Sequence, residues 1–254
     1  MMRVKLYKAT FIGLLLAAMP ATSTAITATP TPAAQTAVTA QKLANLKNKG
    51  AAEIDRRTTN LNNALTKLTS ATALKQADKD ALTTQVKAEL TALAALKTKL
   101  AAETDLAMAR TDVQSIVTDY RVYVLMLPKI RMVAATDQFG AAEQKLSTLH
   151  DKLAGKVSPM SAADSAKLTD MAAKIADAKT KTDGLVAQLL ALQPTDYNAN
   201  HAVLVTYRAT EKTARDDLVA ARTDAKALID SLKGAKASSS PSSSSSPSSS
   251  PAKQ

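Results

Sequence analysis

Side chains able to do chemistry are few in this chain and far apart. The two histidines, His150 and His201, are separated by 51 positions, and neither has a partner at metal-ligand spacing. No cysteine can serve as nucleophile or thiolate, no glycine-rich loop can cradle a phosphate, and no serine sits in an elbow motif. Carboxylates are numerous, but they fall among lysines at the spacing of a solvated helix face. His150 reads as an exposed residue near a helix end. Groups of the kinds that catalysis needs do not converge, so the pattern points away from an enzyme and implies no cofactor and no metal.

Two other groupings could recognise a partner. Outside the first 25 residues the aromatics are Tyr120, Tyr123, Phe139, Tyr197 and Tyr207. Four of them form two polar-rimmed clusters, Tyr120-Arg121-Val122-Tyr123 and Tyr197 through Asn200 and His201 to Tyr207-Arg208. The plain interpretation is structural: large rings fill a wide spot in an alanine-rich core, and their hydroxyls find partners at its edge. The sharper one is a small recognition patch where the clusters meet. The second grouping is basic. Lys42, Lys49 and Arg56 recur every seven residues, with Lys47 and Arg57 flanking them. Such a stripe is either a solvated helix face or a phosphate-binding rod for teichoic acid, anionic lipid or nucleic acid. No specific nucleic-acid motif and no aromatics for base stacking accompany it.

The elements that position these residues are helical. With 6 glycines and no tryptophan or cysteine in 254 residues, and an apolar share dominated by Ala and Leu, the composition favours long helices and disfavours sheet. Leu168, Ile175, Thr182 and Leu189 recur every seven residues, interleaved with Met171, Ala178, Leu185 and Leu192. That coiled-coil-like seam predicts one helix over 161–192, opened by Ser161 and Asp164. The same pattern predicts helices over 77–102 and over 196–233, the latter ended by Gly234. A first helix carries Leu43, Leu46, Ile54, Leu61, Leu65 and Leu68. The segment Tyr120–Ala135 is apolar almost all round, which marks a central helix, with a kink or division at Pro128. The expected fold class is all-α: an elongated antiparallel bundle of four or five long helices over residues 39–235, the rods roughly 40–57 Å long.

The ends differ in kind. Residues 1–8 are basic, Ala9–Met19 are apolar, and Ser23-Thr24-Ala25 offers small residues where signal peptidase reads. This predicts a signal peptide over 1–25 and an exported protein, extracellular, at the cell surface or periplasmic. Residues 26–38 read as a Thr/Pro-rich flexible lead-in, and 236–254 as a Ser/Pro-rich disordered tail. The apolar run is too short to span a bilayer, so no transmembrane span is expected in the mature chain. Net charge is +11, of which the leader holds three bases and no acid, and residues 36–75 concentrate most of the rest.

YRVYVLMLPKIRMVAATD (Tyr120–Asp137), QPTDYNANHAVLVTYR (Gln193–Arg208) and ARTDAKALI (Ala221–Ile229) resemble a group of signal-peptide-bearing helical-bundle proteins of bacteria, including candidate-phylum lineages. The resemblance implies an extracytoplasmic helical bundle and carries no activity. The expected function is that of a non-enzymatic structural or interaction protein of the envelope or exterior, the bundle acting as spacer or protein-binding module. The alternatives are a polyanion binder working through the basic stripe and a membrane-active amphipathic bundle.

Overall fold

The computed structural model describes residues 32–156 and 161–238, and all of the described secondary structure is helical. The predicted signal peptide, the start of the lead-in, residues 157–160 and the Ser/Pro tract from 239 onward lie outside the described residues. The chain divides into two units, Met1–Val38 and Thr39–Gln254. Of the first, residues 32–38 are described and belong to the first turns of α1 (Pro32–Ser70). This corrects the expected flexible lead-in at its C-terminal half: Pro32 is tolerated at the first helical position, and an Ala-rich stretch follows it.

Among its described residues the second unit contains five long helices: the remainder of α1, α2 (Gln76–Ala102), α4 (Leu127–Ala154), α5 (Ala162–Thr182) and α8 (Val203–Ser238). Three short ones join them: α3 (Leu106–Thr118), α6 (Leu185–Ala191) and α7 (Pro194–Ala199). A single π-helical turn, Val122–Met126, connects α3 to α4. The all-α bundle expected from composition is therefore the fold.

Its internal plan is a pair of three-helix bundles that share the α3–π turn–α4 element. In the first, α1 and α2 run antiparallel, since Lys97 pairs with Asp55 at one end and Lys79 Nζ donates to the Thr69 carbonyl at 3.4 Å near the other. α3 and the start of α4 close it around Ile54, Leu61, Leu82, Val86, Leu93, Ile116, Val122, Leu125 and Val133. In the second, α5 is antiparallel to both α4 and α8. Thr182 donates to Glu143 (3.0 Å), Lys181 pairs with Asp217, and Ser231 donates to Asp164 (3.0 Å). Its core is Met171, Ala178, Ala214, Leu218, Ala221, Ala225 and Leu228 with Leu153. The many alanines let the three axes approach closely, while α6 and the start of α8 reach back to cover the first core.

Where sequence expectation and structure part, the reason is local. α5 stops at Thr182 and the chain restarts at Leu185, because Gly184 takes a left-handed conformation (φ +75°). The seam nevertheless stays in phase, with Ala178, Leu185, Leu189 and Leu192 all buried. The predicted 196–233 helix is likewise two pieces, broken at Asn200, whose side-chain Oδ1 accepts from the Ala202 N–H at 2.9 Å. Gly234 does not end α8, which continues to Ser238; one exposed glycine in a helix costs only about 1 kcal/mol. The predicted start at Ser161 is present, and a glycine also closes α4. Ser161 Oγ accepts from the Asp164 N–H at 3.1 Å, and Gly155 follows the last residue of α4. The cap of α2 comes from afar: Lys75 has no side-chain acceptor of its own type, and its N–H donates instead to Asp137 Oδ2 on α4 at 2.9 Å.

Candidate functional site

The two bundles meet at the turn between α3 and α4, and the backbone there is irregular. Arg121 lies at φ 37°, the one non-glycine residue with positive φ among those described. A π turn follows at once, closed by the Leu127 N–H to the Val122 carbonyl. Pro128 contributes to this arrangement. It sits in the first turn of α4 and has no N–H to give the Val124 carbonyl, so the ladder is already short of a rung where the wider turn sits. The chain thus yields before Pro128. A left-handed Arg is strained by roughly 1–2 kcal/mol and persists only where its surroundings hold it.

Those surroundings are α7. Arg121 Nε donates to Asn198 Oδ1 at 2.6 Å, and Asn198 Nδ2 donates to the Thr118 carbonyl at 2.9 Å, satisfying one of the free carbonyls at the end of α3. The Arg121 guanidinium lies 5.3 Å from the centre of the Tyr197 ring, and the His201 ring is 5.2 Å from that ring on its other contact. A box formed by Gln193 and Asp196 around Pro194 sets α7 in place. Arg121, Tyr197 and His201, from the two clusters noted in the sequence, are therefore brought together.

The remaining residues of those clusters do other things. Tyr120 turns inward and donates its hydroxyl to the Ala92 carbonyl at 3.1 Å. Tyr123 faces α1, where Arg57 lies 5.1 Å from its ring and Asn60 donates to its hydroxyl at 3.4 Å. Asn200 is occupied as the turn acceptor before α8. Tyr207 is half-buried against the first core, and Arg208 is exposed beside Glu211. His150 stays apart, 3.1 Å from its neighbour Asp151.

The basic stripe is narrower than its sequence suggests. Lys42, Lys49 and Arg56 are exposed along α1. Arg57 is 5% exposed, paired with Glu53 and stacked under Tyr123, so it is withdrawn from the surface; one residue past Arg56 is a hundred degrees round the helix. Lys47 donates to the Glu103 carbonyl at 2.7 Å, closing the C-terminal end of α2.

Beneath the π turn lies a feature that the sequence did not single out. A cavity of about 150 Å³ is lined by Gln85, Ala88 and Glu89 of α2, Tyr120, Leu125, Met126, Lys129, and Leu192 to Pro194. Lys129 is 2% exposed and donates to Gln85 Oε1 (3.0 Å) and to the Leu192 carbonyl (2.5 Å). Glu89 makes no direct ion pair with it, and Glu89 Oε1 is buried without a hydrogen-bond donor. Burial pushes the Glu89 carboxyl up to about 7, against the opposing pull of Lys129. Burial also lowers the Lys129 ammonium, opposed by Glu89, and raises the Tyr120 hydroxyl. The signal for Lys129 was present in the sequence: a lysine inside a segment apolar on every side must be buried and must have partners. Its partners, 44 and 63 positions away, were not legible.

A larger, open cleft of about 950 Å³ lies between α4 and the α5–α6 corner. Its acids are largely engaged: Asp137 and Asp183 pair with Lys75 and Lys179, and Glu143 accepts from the Thr182 hydroxyl. Among the described residues no group of three or more His, Cys, Asp or Glu side chains converges as metal ligands would, and no helix is long and apolar enough to cross a membrane. Compared with known protein families, with curated proteins and with solved structures, the chain matches none.

Proposed function

We propose that the chain is a non-enzymatic, exported interaction module of the bacterial cell envelope or exterior, and that it meets a protein partner at the surface where the π turn packs on α7. The observation that carries this reading is the strained Arg121, fixed by Asn198 and stacked on Tyr197 beside His201. Backbone strain of this kind concentrates at functional positions, and Arg with Tyr is the composition of interface anchors. The rings and the guanidinium are pre-oriented, so little side-chain entropy remains to be lost on binding. The two-bundle scaffold acts as the rigid spacer behind them.

A photo-crosslinking residue placed at Tyr197 tests this on intact producing cells, with the same probe at the exposed Lys226 as control. The expected result is a discrete adduct from position 197, absent from 226 and lost when Arg121→Ala is added. Identical adducts from both positions would refute the reading.

The polyanion alternative retains one supporting feature, the exposed Lys42, Lys49 and Arg56 on one face of α1. If that face binds phosphate polymers, retention on heparin should fall steeply with salt, and Lys42→Gln with Lys49→Gln should reduce the salt dependence by about two phosphate contacts.

A further inference from the structure

The cavity under the π turn is chemically polarised in a way that packing alone does not require. One wall is an ammonium. Lys129 has three N–H donors, of which Gln85 and the Leu192 carbonyl take two. The opposite chemistry is a carboxyl, whose buried Oε1 no donor reaches. Both line the same space of about 150 Å³, yet they do not pair with each other. Closing the gap would satisfy both groups, and buried ionisable groups ordinarily do so. Leu125 and Met126 of the π turn and Pro194 line the space between them.

We propose that this cavity is a binding site for a compact zwitterion of amino-acid size, its carboxylate taken by Lys129 and its ammonium by Glu89. The alternatives fit less well. A lone anion would face Glu89, a lone cation would face Lys129, and an apolar guest would leave Glu89 Oε1 and the third Lys129 N–H without partners. A zwitterion adds no net charge and aligns its dipole against that of the walls. Leu125 and Met126 supply the apolar flank for a small side chain, and the volume excludes a large one. Tyr120 and Lys129 are the titratable groups facing Glu89, with Asp119 acting on Tyr120 and Asp196 of α7 acting on Lys129. Binding an ammonium holds Glu89 ionised, so uptake near neutral pH releases protons from the fraction of Glu89 still protonated. The site is distinct from the Arg121–Tyr197 surface and does not depend on the function proposed for it.

Calorimetric titration of the full chain at neutral pH tests the proposal, with glycine and alanine as probes and acetate, methylammonium and phenylalanine as controls. Glycine or alanine should bind saturably, the two half-ligands at least about tenfold more weakly, and phenylalanine not at all. Glu89→Gln preserves shape and should weaken glycine about tenfold or more. Lys129→Met should do the same, provided its circular dichroism is unchanged. Tyr197→Phe should leave glycine binding intact, which separates this site from the surface patch. No saturable heat from either amino acid, as from a cavity holding solvent alone, overturns the proposal. So does acetate binding as tightly as glycine, or an unaltered affinity in Glu89→Gln.

Discussion

The residue that most rewards attention is Glu89, because its environment works against its charge. Its folded carboxyl is raised to about 7 while the unfolded one titrates near 4.5, so between those values the folded state holds more protons than the unfolded state. Stability therefore falls as pH rises through that window. Glu89 is half-buried, so solvent screening trims the effect to about 1–2 kcal/mol. Glu89→Gln should flatten the dependence and be the more stable protein at pH 8, which urea unfolding at pH 5 and pH 8 will read; a parallel loss of stability in both proteins would disprove it. Little of this was visible in the sequence. Lys129 could be read there as an interruption of an apolar run, but Glu89 sits in a segment rich in Lys, Thr and Ala and looks like any solvated acid. Arg56 and Arg57 show the contrast: adjacent in sequence, one is exposed, while the other, three residues past Ile54 and four before Leu61 on the apolar stripe of α1, lies under Tyr123.

For the elements, heptad spacing located the buried faces well and the helix ends less well. Leu82, Val86 and Leu93 of α2, Met171 and Ala178 of α5, and Ala221, Ala225 and Leu228 of α8 are all buried as their spacing predicts. The break at Gly184 escaped because it does not shift the seam, and the break at Asn200 because it falls before Leu204, the first buried residue of that seam. Close approach between helices is equally silent in the sequence. Gly50 of α1 lies so near α2 and α3 that a Cβ there would come within 2.5 Å of Leu100 Cδ2 and 2.8 Å of Val113 Cγ2. Leu100 can swing aside, but the β-branched Val113 is stiff. Gly50→Leu should destabilise by about 2 kcal/mol or more through overpacking, despite its better helix propensity. A thermal midpoint equal to or above that of the parent chain would show the contact to be looser than described.

At the scale of the whole molecule, one continuous element serves two cores. α3 and the first turns of α4 belong with α1 and α2, and the rest of α4 belongs with α5 and α8. No disulfide reinforces the pair, so each depends on apolar contact along the shared middle. The π turn lies where one packing partner gives way to the other, and the extra residue it accommodates is how the backbone meets both. Hydrogen exchange of the full chain tests this most directly, because amide protection reports which segments open together. Protection at the level of global unfolding is predicted for Ala109–Ile116 and from Leu125 through α4 as far as Leu153, so that the two sides of the π turn open together. Fast exchange across Leu125–Val133, with protection confined to α3 and the rest of α4, would contradict it.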